Sequence, residues 1–263
     1  MSYTKPAAYN QFMGRWSARL APLFLRFSQI REGQNVLDVG SGTGSLSRAV
    51  VDFAGDTKVM GVDPAPSYVA FAQDAVSSPR ATFRVGSGEH LEFADGTFDA
   101  ALALLVVQDF NEPAQAVSEM ARVTRKDGVV AGCMWDFGQG LPMLSLIWQA
   151  AETVAPGSSA AHRPKTSIRY ASVRDLEELW KKGSLTEIAF ETIELAMPFQ
   201  SFEDYWKPFL EGSTPVSAFA AALEEQTNGM FSRVLRESIK GMQPDGSFVL
   251  PARAWAIRGI SLG

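Results

Sequence analysis

The sequence predicts an α/β fold: a doubly wound, mostly parallel, seven-stranded sheet with a helical insertion or lid over the carboxyl edge of its strands. Three observations carry this expectation. From Gln34 to Gly132 short apolar runs alternate with helical stretches, the pattern of strands buried on both faces between crossover helices. A glycine-rich run, Gly40-Ser41-Gly42-Thr43-Gly44, falls where the first strand hands over to the first helix. A chain of 263 residues with 46% hydrophobic composition can bury one large core without covalent staples.

Taken in order, the strands are expected at Asn35 to Val39, Lys58 to Val62, Ala81 to Val85, Phe98 to Leu105 and Gly128 to Met134. Helices fit between them at Leu46 to Phe53, Ser67 to Ser77 and Ala114 to Thr124, the last opening after Asn111-Glu112-Pro113. Arg125-Lys126-Asp127-Gly128 reads as that helix's closing signal, basic residues followed by a glycine. Beyond Trp135 the alternation lapses. A helix at Leu141 to Val154 precedes a loop from Ala155 to Thr166, and another helix runs from Ser172 to Lys182. Thr186 to Met197 and Phe248 to Ile257 carry the β-branched and apolar residues of late strands of the same sheet. Phe202 to Leu210 and the long amphipathic stretch Pro215 to Gly241 read as helical. One domain therefore accounts for residues 1–263: an N-terminal helical lid (1–33), a ligand-binding core (34–140), helical segments (141–185 and 200–245) and late strands (186–199 and 246–263).

Composition narrows the function classes. With one cysteine, Cys133, an intramolecular disulfide is impossible and a cysteine-based zinc site is disfavoured, so no metal is expected. No leader segment and no membrane-length apolar run is evident, which predicts a cytoplasmic protein, neither secreted nor membrane-bound. A net charge of −5 supplies no positive field for nucleic acid. A small-molecule partner, on a monomer or homodimer, is the expectation that remains.

The glycine run ends a strand and opens a helix, a topology that presents free backbone N–H groups to a ligand. Dinucleotide sites share it, but their fingerprint places glycines at positions one, three and six, and position six here is Ser45. The third glycine is Gly44. Asp38, just before the loop, would repel a pyrophosphate and suits a cationic or zwitterionic ligand. Asp63, closing the next strand about 20 residues on, stands where a carboxylate accepts from both ribose hydroxyls. The alternative for Asp63 is an ordinary helix cap before Ser67.

From Val36 to Gly132 these motifs resemble the class I, Rossmann-like S-adenosylmethionine-dependent methyltransferases, in their small-molecule-modifying branch. The resemblance implies that Asp38 and the loop Gly40, Ser41, Gly42 and Gly44 receive the methionine end of S-adenosylmethionine, and that Asp63 with the adjoining Pro64 receives the ribose. It implies adenine contacts from Ser87, Gly88 and Glu89, although the family commonly has an aspartate where Ser87 stands. It implies that Leu104 and Leu105 face the cofactor's amino group. Gln108 and Asp109 occupy positions where relatives often carry active-site histidines. The N-terminal Tyr9 to Ser17 resembles a lid of this branch, with Tyr9 and Arg15 on the cofactor and Arg15 meeting its carboxylate bidentately.

The aromatics Trp135, Phe137, Tyr170 and Trp206 are expected to line an apolar acceptor pocket, the alternative being ordinary core. In-line methyl transfer asks chiefly for positioning and dryness, and a base only if the acceptor must lose a proton. Asp109 is the candidate base, with His162 behind it; His90 and His162 otherwise read as surface or packing residues. An NAD(P)-dependent oxidoreductase and a non-catalytic nucleoside-binding protein are the alternatives to methyl transfer. Neither the acceptor nor the atom methylated is legible.

Overall fold

The computed structural model describes residues 5–53, 55–160, 172–211 and 214–263. The chain enters through α1 (Pro6–Tyr9), a π-helical turn (Asn10–Gly14) and α2 (Arg15–Ser28), followed by β1 (Asn35–Val39), α3 (Ser45–Phe53), β2 (Lys58–Asp63), α4 (Pro66–Val76) and β3 (Ala81–Val85). It continues with β4 (Phe98–Leu104), a short 3-10 turn (Val107–Asp109), α5 (Pro113–Val123), β5 (Thr124–Trp135), α6 (Pro142–Val154) and α7 (Val173–Lys182). β6 (Leu185–Phe199), α8 (Phe202–Glu211), α9 (Pro215–Gln226), α10 (Met230–Ser238) and β7 (Phe248–Ser261) complete it. Proline stands in the first turn of α4, α5, α6 and α9, where its missing N–H has no partner to lose.

The seven strands form one sheet in the order β3-β2-β1-β4-β5-β7-β6. The first five are parallel, and β7 runs antiparallel between β5 and β6. The chain begins in the middle of the sheet, builds outward to β3, then returns to β1's other side with β4. That reversal leaves a crevice at the carboxyl ends of β1 and β4, where open α/β sheets bind ligands. Period-two alternation splits the central strands between two apolar layers. Val36, Ala100, Leu102 and Leu104 face one, and Leu37, Val39, Ala101 and Ala103 the other. Both layers are covered, as a parallel sheet requires.

Three expectations need correction. Residues 125–128 do not close α5: the strand starts at Thr124, directly after the helix. Thr124 pairs with Phe98 and Val129 with Ala100, so the intervening residues form a bulge, with Asp127 at φ 61° and Arg125 ion-paired to Asp99 at 2.6 Å. The 215–241 stretch is two helices, broken where Asn228 and Gly229 both take positive φ. Within the segment expected as a lid, residues 15–28 do more than cover the site. Trp16, Leu20, Ala21, Phe24 and Leu25 on α2 are at most 1% exposed, so α2 is structural cover for the sheet alongside α3. Of the expected loop at 155–166, residues 161–166 lie outside the described residues.

Candidate functional site

A cavity of roughly 830 Å³ opens at the β1/β4 crevice, a volume within the usual range for small-molecule sites. Part of its wall is made where strands end. Gly40 and Ser41 donate to the Val62 carbonyl at 2.7 and 3.0 Å, folding the glycine loop over the end of β2. Gly40 has φ +71°, and a Cβ there would lie 2.5 Å from Val106, so glycine answers both a backbone and a space requirement. Gly42 lines the cavity too. Gly44 does not: its missing Cβ lets α4 approach, since a methyl there would meet Val76 at 2.8 Å. The Ser41 hydroxyl is buried without a hydrogen-bond partner.

Asp38 is 1% exposed and accepts from the Ser47 hydroxyl at 2.7 Å. Burial pushes its carboxyl up to about 7 against the Ser47 bonds, and nearby Asp63 adds to the rise. Asp63 takes the Gly42 N–H on one oxygen and the Ala65 N–H on the other, both at 2.9 Å. It thereby ties the glycine loop to the β2–α4 turn and is not the cap of α4, whose N-cap is Ala65. Burial raises its carboxyl as well. Pro64 lies beside it on the cavity wall.

Farther round, the Ser87 hydroxyl accepts from the Glu89 N–H at 3.2 Å. One Glu89 oxygen accepts from Asn111 and Glu112 N–H at 2.6 and 3.1 Å, anchoring the entry to α5. Gly88 packs its backbone where a Cβ would collide with Val39 and Phe110. Leu104 and Leu105 close β4, with Leu105 at φ 62° and its carbonyl accepting from the Gln108 side-chain amide at 2.8 Å. That amide also donates to Asp109 at 3.2 Å. Asp109 is exposed toward the cavity space, where partial desolvation pushes its carboxyl up to about 6, with Gln108 opposing. Tyr9 edges onto Tyr68 with ring centroids 5.9 Å apart; burial, then Asp109 and, more weakly, Asp63, push its hydroxyl up to about 12.

Four carboxylates therefore line the cavity, Asp38, Asp63, Glu89 and Asp109, with no lysine, arginine or histidine among its described lining residues. Such a wall fits a ligand of positive charge, and the glycine cradle with its unpartnered serine fits the methionine end of the expected cofactor. The apolar part of the lining comes from Phe12, Met13, Leu144, Val216, Phe137 and Trp135, whose indole N–H is buried and unpartnered.

Of the residues singled out from sequence, Tyr9, Asp38, Gly40, Ser41, Gly42, Asp63, Pro64, Ser87, Gly88, Glu89, Leu104, Leu105, Gln108, Asp109, Trp135 and Phe137 share this cavity. Arg15 does not. Its guanidinium pairs with Asp204 at 2.7 Å and lies over the rings of Trp16 and Phe199, which binds α2 to α8. Trp206 is core, stacked among Phe202 and Phe209 and edge-on to Phe231. His162 and Tyr170 lie outside the described residues. Sequence reasoning missed Phe12, Met13, Tyr68 and Thr214 to Val216. Tyr68, in the first turn after Asp63, was within reach of the motif's spacing, and Phe12 and Met13 fall in the segment likened to a lid; Thr214 to Val216 carry no local signal.

Residues 37–132 match the protein family described as a methyltransferase domain. An uncharacterized methyltransferase of Mycobacterium avium (strain 104) is 38% identical over 97 residues, 37% of this chain and 38% of that one, so the match spans little more than a third of the relative's length. A phosphatidylethanolamine N-methyltransferase of Cereibacter sphaeroides is 38% identical over 133 residues, 49% of this chain and 64% of its own. Among solved structures, phosphoethanolamine N-methyltransferase 2 of Haemonchus contortus, in complex with phosphomonomethylethanolamine and S-adenosylhomocysteine, shares the fold at a TM-score of 0.60. It is 18% identical, over 98% of this chain and 57% of that one.

Proposed function

The chain carries a class I, Rossmann-like S-adenosylmethionine-dependent methyltransferase domain, and on that premise we propose that it transfers a methyl group from S-adenosylmethionine to a small-molecule acceptor. The observation that carries the proposal is the carboxylate wall, without a cation among its described lining residues, closed around a glycine loop. S-adenosylmethionine supplies a sulfonium methyl, and its positive charge is what such a wall favours. Asp38 and the Gly40 to Gly42 backbone hold the methionine end, and Asp63 the ribose. Gly88 and Glu89 border the base. The apolar wall positions the acceptor and excludes water, which is most of what an in-line displacement needs. Gly44 supports the loop from behind, and Arg15 and Trp206 hold the helical cover together.

Nothing in the site favours a nicotinamide cofactor, whose pyrophosphate would meet Asp38. Calorimetric titration with S-adenosylmethionine, S-adenosylhomocysteine and NAD tests the proposal. Micromolar binding of both sulfur nucleosides without NAD is expected; NAD binding alone would overturn it.

A further inference from the structure

Resting on the methyl-transfer reading, we propose that Asp136, locked to Arg253, is the positioning residue that holds Phe137 against the acceptor. Asp136 falls between two residues of the cavity lining, Trp135 and Phe137, without itself lining it. The two neighbours are fixed by different means. Trp135 is the last residue of β5 and pairs with Ala254 of β7, so the sheet sets its direction. Phe137 lies beyond the sheet, in the turn that leads to α6, and Gly138 and Gln139 after it are exposed.

Two exposed residues give that turn little packing of its own, and the Asp136 side chain orders it instead. One carboxylate oxygen accepts from the Gly138 and Gln139 N–H groups at 2.9 and 3.2 Å. On the other oxygen two guanidinium donors of Arg253 converge, at 2.8 and 2.5 Å, and these charge-assisted bonds hold the carboxylate in one orientation. The backbone repeats the tie. Asp136 N–H donates to the Arg253 carbonyl at 2.9 Å, and Arg253 N–H to the Gly140 carbonyl at 2.7 Å. Gly140 closes the turn so tightly that a Cβ there would lie 2.6 Å from the Asp136 Cβ and 2.8 Å from that of Arg253. Among the described residues, every hydrogen bond that residues 136–140 make therefore runs to Asp136 or Arg253.

Asp136 is 2% exposed, and a carboxylate buried that far is costly unless donors surround it. Its ion pair is a poor source of net stability, since well-packed apolar residues of similar volume often do as well. What the pair supplies is a single direction for the chain. Four donors on two oxygens leave the turn one way to run, and that way carries Phe137 to the cavity. A ring placed in advance by its backbone meets the acceptor without the entropic cost of ordering it on binding.

The test is a double-mutant cycle read by fluorescence titration of the whole chain, saturated with S-adenosylhomocysteine, with the neutral apolar dye prodan as the acceptor-site probe. Phe137→Ala and Asp136→Ala should each weaken prodan binding by about tenfold, and the double variant should lose no more than either, because Asp136 acts through Phe137. S-adenosylhomocysteine should bind all three within about twofold of the parent. Arg253→Gln should follow Asp136→Ala through the same cycle, a second route should Asp136→Ala fail to fold. Additive losses, a dye indifferent to Phe137→Ala or to Asp136→Ala, or a parent that does not take the dye overturns the proposal, and the pair is then an ordinary structural tie. Failure of S-adenosylhomocysteine to bind the parent overturns the cofactor reading instead, and the cycle is still read from titrations without it.

Discussion

Around Gly40 the cavity wall is backbone and carboxylate, supplied by strand ends and turns within the parallel half of the sheet; around Trp135 it is apolar side chain, supplied by the N-terminal turn, the end of β5, α6 and the start of α9. The first wall is stapled by short bonds between neighbours in the sheet, Gly40 to Val62 and Gly42 to Asp63. The second is held by packing among helices that meet only in three dimensions. A wall of hydrogen-bonded turns specifies one ligand chemistry closely, whereas a packed apolar wall can be rebuilt side chain by side chain. On the proposed function, the contrast separates the wall that would fix the cofactor from the one that would set the acceptor.

The largest expected effect tests whether the helical cover is scaffold or pocket. Trp206→Ala should cost roughly 3–5 kcal/mol of stability, as large-to-small changes in a core do, read from the denaturant midpoint. An unchanged midpoint with weakened acceptor binding would move Trp206 into the site. Next comes pH. The Asp38 carboxyl sits at about 7 when folded, above its unfolded value of 3.8, so the folded state holds the proton more tightly. Its penalty is absent below about pH 4, grows as pH rises toward 7 and is complete above, at most about 4 kcal/mol. Asp38→Asn should therefore flatten the fall in stability between pH 5 and 8, Asp63 and Asp109 contributing what slope remains. A cationic ligand opposes the same proton, so S-adenosylmethionine affinity should climb over that interval; a flat or falling affinity would refute a charged Asp38 at the ligand.

Gly40→Ala adds a Cβ 2.5 Å from Val106 at a positive φ. Strain and overpacking together predict a loss of about 2–4 kcal/mol, felt in cofactor binding as much as in melting. Were affinity to persist, the loop would not be the cofactor's seat. Smallest is Arg15→Ala. A partly exposed ion pair is worth about 1 kcal/mol or less, so stability should dip slightly and cofactor affinity stay within twofold. A tenfold affinity loss would return Arg15 to the cofactor.

Legibility follows the same division. Asp38, the glycine loop and Asp63 were readable because a strand-to-helix turn places consecutive residues in a known direction, and all but Gly44 reach the cavity. Gly44 was assigned to the ligand by spacing alone, but its φ of +85° serves the packing of α4. Arg15 and Trp206 were misplaced for a different reason. A guanidinium goes to the nearest carboxylate the fold supplies, and Asp204 lies 189 residues away in sequence. An aromatic stripe looks alike in a core and in a pocket.

The sequence by itself determined the class of fold, the places of the first five strands, and the glycine loop, Asp38 and Asp63 that meet at one cavity. These depend on periodicity and on residues close in the chain. Tertiary structure alone decided that β7 inserts antiparallel between β5 and β6, that α2 is buried cover, and that Phe12 and Val216 line one cavity. It also decided that Gln108 keeps an unmet oxygen beside Asp109. Such features arise from contacts between segments far apart in sequence, and local spacing carries no record of which distant partner will satisfy a side chain.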